Sequence, residues 1–266
     1  MMRKSIRLAL LLTFLGITAI GFFLTISGSV YTVKGPRELS SFNLFFDFYT
    51  GMYTIIPLIG YLLLIPFVSH ARTLRWKRNG FDNVVSMRIG KTEYFRQLVL
   101  KSVKDIWYYP VVINLFILFL IILFIHANPF FANDPSYIYQ GYYFSGEIGD
   151  WIIFTILETL GWILLNLLCM LFAELAPNPY LYPFLLLIFA LLLTFLVSFL
   201  SGMPLAHDEI LTCLSPFNLL APGVISLLTF ASWKWRYLTI ALTFLLFAIV
   251  IYMGYRLIVR WRYRYG

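Results

Sequence analysis

Residues 106–126 read IWYYPVVINLFILFLIILFIH, a run without a single Lys, Arg, Asp or Glu. A helix of that length rises about 30 Å at ~1.5 Å per residue, which matches the hydrocarbon core of a bilayer. A barrel strand would be ~10 residues long and would alternate apolar with polar positions, and this run does not alternate. Its flanks differ sharply. On the N-terminal side, the stretch 69–105 carries Arg72, Arg75, Lys77, Arg78, Arg88, Lys91, Arg96, Lys101 and Lys104. On the C-terminal side, residues 127–150 contain no Lys or Arg but hold Asp134, Glu147 and Asp150. Lys and Arg are retained on the cytoplasmic side of membranes, so the run is expected to start inside and end outside.

Five further runs of similar character occupy about 6–26, 48–68, 151–173, 181–200 and 237–256. They account for a composition that is 61% apolar and 12% charged, far from the roughly one-half and one-quarter of soluble domains. The first run follows a basic start, but its apolar stretch exceeds the ~7–15 residues of a signal sequence, so it is read as an uncleaved span. Arg3, Lys4 and Arg7 precede it, and Arg256, Arg260, Arg262 and Arg264 follow the last. With both termini cytoplasmic, 16 of the 20 basic residues lie on one face. The net charge of +8 is thus a membrane-orientation signal and not the footprint of nucleic acid. The segment 215–231 is apolar but broken by Pro216, Pro222 and Gly223. Counting it as a span would throw the arginine tail outside, so it is expected to form a broken helical hairpin packed on protein at the outer face. The expected fold is an all-α membrane protein, one transmembrane domain over 1–266. It has six spans, a cytoplasmic loop at 69–105 and an outer hairpin at 201–235.

Within the loop, Gly90-Lys91-Thr92 matches the end of a phosphate-binding loop. The first glycine of that motif would fall at Val85, and the motif needs a preceding buried strand. A basic turn precedes it instead, so no nucleotide site is expected. After Gly90, the residues Phe95, Leu98, Val99, Ser102 and Val103 recur at helical spacing. Before it, FDNVVSMRI can form a shorter helix capped by Asp82 or Asn83. Gly90 allows a bend between the two. Such a pair of amphipathic helices suits either a bed of anionic lipid or a cytoplasmic partner.

The stretch RTLRWKRNGFDNVVSMRIGKTEYFRQLVLKSV resembles the loop between spans two and three of type-2 ABC transporter permeases. In that family a pattern close to R-x-G-x-x-x-Y/F-x-x-x-K forms the coupling helix seated in an ATP-binding subunit. Arg88, Gly90, Tyr94 and Phe95 fit it, while Leu98 stands where a basic residue is common and Lys101 follows a turn later. LSPFNLLAPG, 214–223, is similar to the segment between the family's last two spans. Only MMRKSIR precedes span one, without the long amphipathic helix of the lipid- and drug-exporting branch; this points to a compact bacterial half-transporter. The resemblance implies a permease subunit in a bacterial cytoplasmic membrane, working as a homo- or heterodimer with a second permease subunit. It implies an ABC ATP-binding subunit as partner, with ATP and Mg held there and no cofactor in this chain. Met87, Arg88, Ile89, Gly90, Tyr94 and Phe95 would make the ATPase contact. The cargo class it suggests is a peptide or amphipathic small molecule.

Other residues carry weaker signals. Glu158 lies two turns into span four, where a carboxylate costs about 2.5–3.5 kcal/mol on insertion scales. It is expected in the substrate path or subunit interface, or else in a packing or snorkelling role. Asn166 on the same span is a second candidate for the pathway or interface, its type suiting an interhelical hydrogen bond more than a substrate contact. The aromatic stretch 128–147 suits an interfacial belt, and the AHDEI stretch at 206–210 suits polar capping of the hairpin. Cys169 and Cys213 are far apart, and His70, His126 and His207 are scattered, so neither a disulfide framework nor a metal centre is expected. No nucleophile sits at readable spacing from a base, so the chain is expected not to be an enzyme. The rival class is a non-transporting immunity or sensor protein whose basic loop binds membrane lipid or a regulator.

Overall fold

The computed structural model describes residues 4–28, 41–50, 55–69, 88, 90–125, 148–175, 182–201, 212–222 and 236–265. Within these, the elements are α1 (Lys4–Gly28), α2 (Ser41–Thr50), α3 (Ile55–Ser69), α4 (Lys91–Ile106), α5 (Tyr108–Ile125), α6 (Ile148–Leu175) and α7 (Tyr182–Ser201). A 3-10 turn (Thr212–Leu214), the one-turn α8 (Phe217–Leu220) and α9 (Arg236–Tyr265) follow. Among the described residues there is no strand. Four helices are long and apolar enough to cross a membrane: Ser5–Thr25, Arg96–Phe124, Ile148–Ala173 and Leu238–Ile258. The apolar segments Ile55–Val68 and Phe184–Leu196 are shorter. The described residues are therefore helical throughout, and the four long apolar helices are compatible with a multi-pass membrane protein.

The run 48–68 is divided. Its first three residues close α2, residues 51–54 lie outside the described set, and α3 begins at Ile55. Pro57 falls in the first turn of α3, where its missing N–H costs no hydrogen bond. The short α2 buries Leu44, Phe45, Phe46, Phe48 and Tyr49. Its aromatics meet Phe154 of α6 at centroid distances of 4.8–5.6 Å for Tyr49, Phe45 and Phe46. Phe48 meets Phe22 of α1 at 6.5 Å.

Helix α6 is the centre of the bundle, touching α3, α4, α5, α7, α8 and α9. Bare packing, not a hydrophobic gradient, must hold helices together in lipid, so small residues admit close approach. At Gly60 of α3 an added Cβ would come within 2.9 Å of the Ile17 side chain of α1. At Gly161 of α6 it would overlap the backbone carbonyl of Leu219. Through that contact the irregular 212–222 segment is pressed on α6, with Cys213 and residues 215–222 all buried. Non-helical backbone at membrane depth survives only under such cover, and its N–H groups are met locally: Asn218 donates to the Ser215 carbonyl at 3.1 Å and Leu219 to that of Pro216 at 3.0 Å.

Three contacts bring described basic residues of α1, α4 and α9 toward one end of the bundle. Arg7 of α1 reaches Asp105 at the end of α4. Asn166, late in α6, reaches the Ser102 carbonyl of α4. Gly254 of α9 abuts Leu171 of α6, so Arg256 lies at that end too.

Gly161→Ala should destabilise the protein by about 1–3 kcal/mol, because the new methyl must displace backbone. Gly16→Ala, where a Cβ meets nothing within 4 Å, should be neutral or stabilising by up to about 1 kcal/mol. Thermal unfolding of the two variants in detergent checks the contrast.

Candidate functional site

The helix that starts after Gly90 has the expected amphipathic character, with its inward side turned slightly from the expected one. Tyr94, Ser102 and Asp105 are buried, Leu98, Val99 and Val103 are half-buried, and Arg96, Gln97, Leu100 and Lys104 are exposed. The spacing of four between Tyr94, Leu98 and Ser102 defines the line that meets α3 and α6. On the outer side Glu93 accepts from Gln97 at 3.2 Å and pairs with Arg96 at 3.4 Å. Such exposed neighbours contribute only about 0.3–0.5 kcal/mol.

Gly90 holds φ 83°, left-handed backbone that suits glycine, and its carbonyl accepts the Tyr94 N–H at 3.0 Å. The residue thus stands as the bend that begins α4. Trp107 keeps right-handed helical angles (φ −55°, ψ −30°), so α4 passes into α5 without a break in direction of winding. Of the residues singled out for docking, Arg88 is exposed and Tyr94 is only 2% exposed. Tyr94 therefore anchors α4 inward and does not stand out as a surface knob. Met87, Ile89 and the side chain of Phe95 lie outside the described residues, as do 127–147, the AHDEI stretch and all of the shorter helix expected before Gly90 except Arg88.

The second cluster surrounds Glu158, which is 0% exposed. One turn earlier on α6 stands Thr155, and one turn later Trp162, so helical geometry alone puts the three on one face. Trp162 Nε1 donates to Glu158 Oε1 at 3.2 Å. Asn114 of α5 donates through Nδ2 to Glu158 Oε2 at 2.6 Å and to Thr155 Oγ1 at 3.2 Å. The Tyr49 hydroxyl of α2 lies 2.7 Å from Asn114 Oδ1 and 3.4 Å from Glu158 Oε1. Next to this network, Tyr61 of α3 and Thr18 of α1 share a hydrogen bond of 2.7 Å. Aromatic rings seal it: Trp162 lies 5.2 Å from Tyr61 and 5.4 Å from Phe14. Three helices, α2, α5 and α6, therefore meet at one carboxyl group, with α1 and α3 packed beside them. Glu158 neither snorkels to a headgroup nor faces open water; it is walled in by protein, which is the arrangement its insertion cost demands.

Asn166 fills the role its type suggested, with Nδ2 donating 3.0 Å to the Ser102 carbonyl on α4. The Arg7–Asp105 pair, at 2.6 Å, ties α1 to the α4–α5 junction. Sequence reasoning passed over Tyr49, Asn114, Thr155 and Trp162. Thr155 and Trp162 were readable from their spacing to Glu158, and Asn114 from being polar within an apolar run. Tyr49 offered no signal, because aromatic residues surround it on every side. Among the described residues no three His, Cys, Asp or Glu side chains gather as metal ligands.

Asn114→Leu would leave both the Tyr49 hydroxyl and Glu158 Oε2 without their partner, at about 1–3 kcal/mol for each orphaned group. Asn166→Leu removes a donor from a carbonyl in helical backbone and should cost only about 0.5–1.5 kcal/mol. Unfolding midpoints in one detergent should rank the two in that order.

Compared with known proteins, the chain matches no protein-family model, no curated protein and no solved structure.

Proposed function

We propose that this chain is the membrane-spanning permease subunit of an ATP-driven exporter of the ABC type. In this reading six helices span the bacterial cytoplasmic membrane, with both termini and the Gly90 bend on the cytoplasmic side. The segment 201–235 forms the outer hairpin. A second permease subunit completes the pathway, and a separate ATP-binding subunit holds ATP and Mg. The cargo is a peptide or an amphipathic small molecule.

The observation that carries the reading is mechanical. Exposed Arg88 stands beside a bend at Gly90, and from Lys91 onward the chain is helical through α4 and α5 into the hydrocarbon. A force applied at the bend would be carried as rotation of a stiff rod about 50 Å long at ~1.5 Å per residue. The rod is not free to move alone, because Asp105 holds Arg7 of α1 and the Ser102 carbonyl holds Asn166 of α6. ATP can drive such a rod only by binding two arrangements with different affinity, and a docked ATPase dimer that closes on ATP supplies that difference. Arg88 is the exposed cation suited to a carboxylate or carbonyl of the partner, with Met87, Ile89 and Phe95 as apolar anchors around it. Tyr94 supports the contact from within by fixing α4 to the bundle.

The protein purified in detergent from its native host should carry an ATPase subunit with it. Arg88→Glu should weaken that association about 30-fold, the effect of ~2 kcal/mol at an interface anchor, without changing the unfolding midpoint. A wild-type protein that brings down no ATPase and binds only anionic vesicles through this loop would overturn the reading in favour of a membrane immunity or sensor protein.

A further inference from the structure

Where α1 meets the α4–α5 junction, an arginine keeps donors that the bundle does not use. A guanidinium carries five N–H donors. Among the described residues the one hydrogen-bond partner of Arg7 is Asp105, whose Oδ1 accepts from Nη2 at 2.6 Å. The arginine side chain is 36% exposed and that of the acid 9%, so the carboxylate lies behind and the cation faces out. The tie also holds the guanidinium in place before any ligand arrives, which removes part of the ordering cost of binding.

The surrounding charge is positive. On α4, Lys101 stands one turn before Asp105 and is half-buried, and Lys104 is exposed. With Arg7 they set three cations against the carboxylate of Asp105. Trp107 follows, 51% exposed, its ring edge-on to Tyr108 at 6.3 Å. Aromatic rings in such positions settle at the headgroup level of a bilayer. The residues on either side of Trp107 fit that level. Before it the exposed residues of α4 are Arg96, Gln97, Leu100 and Lys104; beyond it, on α5, every exposed residue is Leu, Ile or Phe.

The surface beyond the arginine suits an acyl chain. Helices α1 and α5 meet at Phe14–Tyr109, 5.2 Å between ring centroids, and again at Phe23–Phe124, 5.0 Å. The seam from Arg7 to Phe23 rises about 24 Å at ~1.5 Å per residue, more than the ~15 Å of one hydrocarbon leaflet. Exposed Leu8 and Leu12 on α1 and Leu115 and Phe119 on α5 offer apolar contact along it. A lipid whose chain covers these positions carries its phosphate to the level of Arg7.

We infer that the Arg7–Asp105 corner is a docking site for an anionic phospholipid. Its phosphate oxygens accept from the outward N–H groups of Arg7, Lys104 balances its charge, and an acyl chain lies along the α1–α5 seam. A zwitterionic headgroup offers the same phosphate but brings its own cation, which the surplus of positive charge here disfavours. The corner is separate from the Gly90 bend, which is fifteen residues and about 23 Å along α4 from Asp105. The inference stands whether or not the chain serves a transporter.

The test is a titration of the full-length protein in detergent with phosphatidylglycerol or phosphatidylcholine of equal chain length, the bound lipids counted by native mass spectrometry. The first phosphatidylglycerol should bind more tightly than the first phosphatidylcholine. Arg7→Gln should cut that preference about fivefold, the ~1 kcal/mol that one cation is worth near an anionic surface. No preference in the wild type, or one that Arg7→Gln leaves unchanged, overturns the site. Arg96→Gln removes an exposed cation from the same helix and should leave the preference intact; an equal loss means a diffuse bed of charge and overturns the site as well. Inorganic phosphate should displace the lipid no better than chloride at matched ionic strength. Displacement by phosphate alone marks a site for a free anion and overturns the lipid. Should Arg7→Gln fail to fold, Lys104→Gln, at an exposed position, must lower the preference in its place, and an unchanged preference overturns the inference.

Discussion

A carboxyl group in the interior of a lipid-embedded bundle has to find every one of its hydrogen-bond partners in protein, since the surrounding hydrocarbon offers none. Glu158 meets that demand by recruiting Trp162 from its own helix, Asn114 from α5 and Tyr49 from α2. The requirement has positional force. Apolar side chains on these helices could slide or rotate past one another with little change in energy, because lipid tails are as apolar as leucine. The polar ring cannot. It fixes the rotation of α5 and α6 about their own axes, and it gives the ten-residue α2, too short to span, a defined seat in the bundle. The aromatic wall of Phe14, Phe154, Tyr61 and Trp162 follows from the same need, since it keeps water from competing for those hydrogen bonds.

The opposite end of the bundle is organised by charge. Arg7 meets Asp105 where α4 passes into α5, and Asn166 ties that same helix to α6. An ion pair that is one-third exposed on the arginine side contributes modestly to stability. Its consequence is kinematic: α1, the α4–α5 rod and α6 cannot tilt independently. A bend at Gly90, a continuous α4–α5 helix and two ties to neighbouring helices are the features on which the proposed coupling rests. The Glu158 network lies further along the same α5 and α6.

Several elements were readable before any coordinates. The amphipathic repeat after Gly90 announced α4, and the apolar runs around 106–126, 151–173 and 237–256 announced long membrane helices. The broken 215–231 segment was legible as irregular backbone needing cover, and α6 supplies cover to its described part through Gly161. Two things were not readable. Helix α2 was not separated from the run 48–68, because its phenylalanines and its tyrosine carry no periodicity to tell a buried face from an exposed one. The inward line of α4 likewise differed in part from the apolar repeat: Ser102 faces inward as the repeat has it, but so do Tyr94 and Asp105, the latter paired with Arg7 of α1. Periodicity reports hydrophobicity, whereas burial here also follows hydrogen bonds and ion pairs.

By itself the sequence determined the solvent. Runs without charge, as long as a bilayer is thick, force helices whose backbone groups are satisfied internally. It also determined that Glu158 would be costly and would need protein around it. Only the tertiary structure decided which groups would answer that need, because Tyr49, Asn114 and Glu158 are separated by 65 and 44 residues and nothing local links them. Hydrogen-bond geometry is set by distances of a few tenths of an ångström between side chains of different helices. Those distances come into being only when the helices pack.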